Sequence, residues 1–135
     1  MKNVMMLTIL IALLSGCAET VDDIDAKAEA RWQALIDNKY EQAYQYLAPS
    51  YRELEDLMTY QMRIQKAQLN IQWNEVEFLA KECQEDACTV KLNINHTYQF
   101  SRRAFGEATA DRQIEENWIK DGGTWYYLPK KSIEL

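Results

Sequence analysis

In Cys88-Thr89-Val90-Lys91-Leu92-Asn93-Ile94-Asn95-His96-Thr97-Tyr98-Gln99-Phe100, apolar and polar residues alternate. Val90, Leu92, Ile94, Tyr98 and Phe100 share one parity; Thr89, Lys91, Asn93, Asn95, Thr97 and Gln99 share the other. A period of two with one apolar side is the mark of a half-buried antiparallel strand. Upstream, Ile71 and Trp73 lie on one parity while Val76, Phe78 and Ala80 lie on the other. The apolar face therefore changes side near Asn74-Glu75, which predicts a bulge in a bent first strand. Downstream, a third strand is predicted from about Ala108 to Lys120, with Ile114 and Trp118 inward. Asp121-Gly122-Gly123 then supplies the positive-φ residues of a tight hairpin into Thr124-Trp125-Tyr126-Tyr127-Leu128.

Three helices precede this meander. Asp22 or Asp23 can cap a helix in which Ile24, Ala28, Trp32, Leu35 and Ile36 recur at helical spacing, ending near Asn38. Tyr40, Ala43, Tyr44 and Leu47 repeat the pattern until Pro49. Ser50-Tyr51-Arg52-Glu53 reads as a capping box opening a third helix that carries Leu54, Leu57, Met58 and Met62. Helices first and an antiparallel sheet second give an α+β class.

Ahead of the folded part, Val4 to Leu14 is an apolar run about half the length of a bilayer-spanning helix. It ends in Leu14-Ser15-Gly16-Cys17, which resembles the lipobox at which lipoprotein precursors are acylated and cut. Residues 1–16 are thus expected to be a signal peptide and 17–22 a lipidated Cys17 with a short tether. Residues 23–135 would be one domain. Ala18, where an Asp would favour inner-membrane retention, points to the outer membrane facing the periplasm. A palmitate-bearing anchor of two or three chains would hold the domain essentially permanently, since one chain alone holds only marginally. The whole chain carries a net charge of −6, and loss of Lys2 makes the mature form more negative. That balance excludes a phosphate-binding, nucleic-acid-reading surface, which needs a basic footprint. The largest basic clusters are the pairs Arg102-Arg103 and Lys130-Lys131.

Two stretches carry a family resemblance: Trp32-Gln33-Ala34-Leu35 through Lys39-Tyr40-Glu41-Gln42-Ala43-Tyr44-Gln45-Tyr46-Leu47-Ala48-Pro49, and Trp118-Ile119-Lys120-Asp121-Gly122-Gly123-Thr124-Trp125-Tyr126. They resemble the opening helix pair and the last hairpin of the nuclear transport factor 2-like superfamily, which includes ketosteroid isomerase and scytalone dehydratase. The resemblance implies a strongly curved antiparallel sheet wrapped around the helices, a cone-shaped, cystatin-like roll whose open end is often a pocket. It implies no particular activity, because function resides in a site and not in a fold.

Cys83 and Cys88 flank Gln84-Glu85-Asp86-Ala87 between the first two strands, so they would face each other across a hairpin and form a structural disulfide outside the cytoplasm. A redox pair would be closer in sequence, and a zinc site would need two further ligands in a chain with one histidine. That histidine, His96, shares the parity of Ile94 and Tyr98. Arg112 and Glu116 share that of Ile114 and Trp118. A pocket would therefore gather Trp32, Tyr44, Tyr60, His96, Tyr98, Arg112 and Glu116, in which Arg112 and Glu116 either pair or turn out to solvent. No catalytic set, metal or cofactor is expected.

The chain accordingly reads as a non-enzymatic envelope lipoprotein, monomeric, whose domain binds a partner protein or small ligand near its membrane. The alternative is a small isomerase or dehydratase using His96 or Glu116 as base and a tyrosine as oxyanion donor.

Overall fold

The structure, a computed structural model, describes residues 23–101 and 103–130. The expected export segment, Cys17 and the expected tether to Asp22 lie outside the described residues, as do Arg102 and Lys131.

Helix α1 runs Ile24–Ile36. Asp23 caps it, its carboxylate accepting from the Asp25 amide at 3.1 Å. At the other end Asn38 takes a positive φ of 59°. The Lys39 amide donates to Ala34 O at 2.7 Å and the Asn38 amide to Leu35 O at 3.2 Å. These two bonds are a Schellman closure, in which the left-handed residue lets the chain fold back over the last turn. Helix α2 follows as Tyr40–Gln45.

The capping box at Ser50 does not form. Pro49 occupies the first position of a one-turn helix α3, Pro49–Arg52, with Ala48 at the cap and Ser50 inside it. A proline's fixed φ suits that first position, so the helix begins two residues earlier than the Ser-x-x-Glu pattern suggests. The chain then turns and restarts as α4, Leu57–Gln68, where the Asp56 carboxylate accepts from the Thr59 amide at 2.8 Å. The restart rotates the buried stripe: Tyr60 and Ile64 face the core, while Leu54, Met58 and Met62 stand largely in solvent.

One four-stranded antiparallel sheet, in order β1-β2-β3-β4, follows: Ile71–Gln84, Ala87–Gln99, Glu107–Asp121 and Thr124–Leu128. The expected bulge in β1 lies between Trp73 and Glu75, and a second shift between Phe78 and Ala80 was not foreseen. Together they return the apolar residues Trp73, Val76 and Phe78 to one face and then place Lys81 opposite the buried Val90. From there Lys81 reaches Asp25 of α1 at 2.9 Å. Each bulge also adds bend, which is how a long strand wraps a helix. Asp121 pairs with Thr124, and Gly122 and Gly123 both take positive φ, the geometry of a two-residue hairpin.

The core lies between α1 and the concave sheet face. Val90, Leu92, Ile94 and Trp118 are buried there against Ile24 and Ala28. A second cluster, with Leu35, Tyr44, Leu47, Tyr60 and Ile64, joins the helices. Cys83 and Cys88 are directly paired in register and form the expected disulfide. The outer edge of β4 is covered by the α2–α3 connection: Ala48 N donates to Tyr127 O at 2.8 Å and Tyr127 N to Tyr46 O at 2.7 Å.

Candidate functional site

Where the open end of the cone meets α1 and α4, a cavity of about 250 Å³ remains. Trp32, Leu35, Ile64, Trp73 and Tyr127 supply its apolar walls, and Arg31, Tyr60 and Arg63 its polar groups. Trp32 and Trp73 meet edge to face with ring centroids 5.3 Å apart, an arrangement aromatic quadrupoles favour.

The floor is a buried charge. Arg31 lies three residues after Ala28 and seven after Ile24, so the helical repeat that buries those two turns it inward as well. Only 4% of Arg31 and 3% of Glu116 is exposed. The Arg31 guanidinium pairs with Glu116 of β3 through Nη2 and Oε1. Trp32 Nε1 donates to the same oxygen at 2.7 Å, and Trp118 Nε1 donates to Oε2 at 3.1 Å. Both carboxylate oxygens are therefore committed to donors. The guanidinium also lies 4.1 Å from the centre of the Tyr127 ring and 5.2 Å from that of Trp32. Burial opposes the Arg31 charge, but the fields of Glu116, Tyr127 and Tyr60 outweigh it and hold the guanidinium protonated more firmly than usual.

Two polar atoms in this wall make no hydrogen bond of normal geometry. Arg31 Nε and the Tyr60 hydroxyl are both buried, and the Arg31 side chain lies near enough to the Tyr60 oxygen to interact with it electrostatically. Burial pushes the Tyr60 and Tyr127 hydroxyls above the ordinary tyrosine range, with the Arg31 charge pulling the other way. Both rings are therefore neutral hydrogen-bonding groups at physiological pH. At the rim, Arg63 Nε meets Glu55 Oε1 at 2.8 Å and Arg63 Nη2 meets Glu55 Oε2 at 2.9 Å, a bidentate pair.

The expected pocket residues divide. Trp32 and Tyr60 line the cavity, and Glu116 lies beneath it, holding Arg31. Tyr44 is buried against Tyr60 but spends its hydroxyl on Glu55 O at 2.8 Å. His96 is half-buried farther along β2, its Nδ1 near Ile94 O at 3.4 Å. Tyr98 is exposed and stacks on Phe100. Arg112 is exposed, and Glu116 pairs instead with Arg31, which takes the role expected of Arg112. Sequence reasoning missed Arg31, Arg63, Trp73 and Tyr127 as site residues. The available signal for Arg31 was an arginine on the apolar stripe of α1, where only a buried partner makes a charge tolerable. Among the described residues no group of three or more His, Cys, Asp or Glu side chains converges as a metal site.

No protein-family model matches the sequence, and no curated protein matches it. Solved structures do match. A SEC-C motif containing protein from Rhodopseudomonas palustris is 13% identical, the alignment covering 84% of this chain and 80% of that one, with a TM-score of 0.62. A protein described as a dehydratase from the NTF2-like family of Streptomyces avermitilis is 8% identical over 83% of this chain and 97% of that one, TM-score 0.52. One described as an NTF2-like transpeptidase from Campylobacter jejuni is 13% identical over 76% and 94%, TM-score 0.50. At such identities the likeness is one of architecture. Helices followed by a curved four-stranded antiparallel sheet, closing on a cavity beside α1, give this chain the NTF2-like fold.

Proposed function

We propose that the protein is an outer-membrane lipoprotein facing the periplasm, acylated at Cys17, whose cone binds a small and largely apolar ligand without transforming it. The observation that carries the binding role is the pair of buried, unsatisfied groups, Arg31 Nε and the Tyr60 hydroxyl, in an aromatic cavity. An unpartnered buried donor costs about 1–3 kcal/mol, and a ligand oxygen accepting from both removes that penalty. The cavity is below the roughly 300–1,000 Å³ of drug-sized pockets, so the ligand is small: a ring or short chain with one carbonyl or carboxylate.

The isomerase reading is the weaker one on this geometry. Its base would be Glu116 or His96, yet Glu116 is held by three donors and His96 lies away from the cavity. The test is to extract the protein from membranes in mild detergent and measure its melting temperature against a panel of small aromatic and aliphatic acids and ketones. At least one class is expected to raise it in the wild type by several degrees and to do so less in Tyr60→Phe. A panel without effect, or an effect equal in both proteins, overturns the assignment of the cavity.

A further inference from the structure

At the sheet's two outer strands other parts of the chain reach in. β4 is covered by Tyr46–Ala48, and the outer side of β1 receives Glu29 of α1, whose carboxylate accepts from the Phe78 amide at 2.8 Å. The third strand is different. Among the described residues β3 pairs with β4 only from Asn117 to Asp121, so its first ten residues, 107–116, are bonded to β2 on one side and meet no described strand on the other. Every second residue of such an edge points its amide and carbonyl outward, which is a template for another strand.

We propose that this edge is a strand-addition site for an extended segment of a partner protein, about ten residues long, with apolar residues on one parity and basic residues on the other. The two faces of the edge define that pattern. On the concave side, Ala108 and Ala110 are small and exposed, and they lie beside an exposed aromatic group of Tyr98, Phe100 and Phe105. Tyr98 and Phe100 have centroids 5.1 Å apart, and Phe100 and Phe105 6.4 Å. Both alanines are open to solvent, so large apolar side chains of an added strand would fill the space above them, up to Arg112, which is exposed on the same side. On the convex side, Glu107, Asp111 and Glu115 recur at every fourth residue. Asp111 accepts from the neutral Asn95 at 2.9 Å, and Lys91 lies 3.7 Å from Glu115. A strand laid alongside meets this acidic row with its own residues of the same parity, where opposite charges directly across favour pairing and like charges oppose it. That same row disfavours a second copy of this chain, whose antiparallel β3 would bring acid against acid. Main-chain bonds would supply affinity and the two rows the specificity.

The experiment uses the full chain in detergent with a fluorescent peptide alternating valine with lysine or threonine, and a control in which glutamate replaces lysine. Binding by anisotropy is expected for the lysine peptide at least tenfold more tightly than for the glutamate one. Alternate amides between 107 and 116 should slow at least tenfold in hydrogen exchange when it is bound. The charge swap Glu107→Lys/Asp111→Lys, at two exposed positions, should reverse the preference while the melting temperature holds. Equal binding of both peptides, or protection outside 107–116, overturns the proposal. So does an edge already protected in the free protein, whether deletion of residues 131–135 or dilution releases it, because the chain's own tail or a second copy is then the occupant.

Discussion

Glu116 shows why a buried charge is organised by removal and not by addition. Its two oxygens satisfy Arg31 and two indoles, so each partner is tolerable only because the others are present. Taking one member of a buried pair away leaves an uncompensated charge and typically costs about 3–5 kcal/mol, whereas replacing both is far milder. Arg31→Met and Glu116→Gln should each lose about that much in urea unfolding, and the double variant should recover all but about 1–2 kcal/mol, the remainder reflecting an indole left without its acceptor. Additive single effects would show that the two are not coupled. Tyr60 makes the opposite case. Its hydroxyl is buried without a hydrogen bond of normal geometry, so Tyr60→Phe in the free protein should leave stability unchanged or raise it by about 1 kcal/mol. The pH dependence has a definite sign: the Tyr60 and Tyr127 pKa values are raised on folding, so the folded state holds protons that the unfolded chain releases near pH ~10. Stability from this source is complete below that pH and falls above it, and Tyr60→Phe should flatten the alkaline limb of the unfolding curve.

At the level of helices and strands, legibility in the sequence followed periodicity. Strands β2 and β3, the Gly122-Gly123 hairpin and the bulge near Asn74 were readable because a period of two leaves little choice. The second bulge at Leu79 was not, since Leu79, Ala80 and Lys81 carry no alternation to break. Leu54, Met58 and Met62 form a clean stripe at helical spacing in the sequence and yet face solvent. The break at Glu53–Asp56 resets the phase, and Asp56 caps the restarted helix α4. The site was less legible still: Trp32 and Tyr60 were found, but Arg112 was preferred to Arg31 because strand parity says which face a residue takes and not how far the covering helix extends. The Cys83–Cys88 bond was readable from its hairpin, and its consequence is modest. Closing so short a loop removes little chain entropy, about 2 kcal/mol by the loop-length relation. Reduction, or Cys83→Ser at the exposed end, should lower stability by that amount in denaturant titration without unfolding the domain. A much larger loss would mean that the sulfurs pack the hairpin as well as tie it.

Considered together, the domain and the proposed leader make separable claims. Among the described residues the core closes around α1 and the concave sheet, so the fold should not depend on the anchor. The location should depend on it entirely. A single acyl chain gives only marginal, reversible membrane binding, whereas two or three hold at about 0.8 kcal/mol per buried methylene and do not let go. The folded part offers no substitute, because its acidic balance repels anionic lipid surfaces. Cys17→Ser should therefore move the protein from the detergent phase to the aqueous phase of a temperature-induced separation and leave its melting temperature and its circular dichroism unchanged. Mass spectrometry of the wild type should find Cys17 as the first residue, carrying acyl chains. Wild-type protein that enters the aqueous phase, or that begins at Met1, would remove the membrane address and with it the reason to look for ligands and partner strands at the envelope.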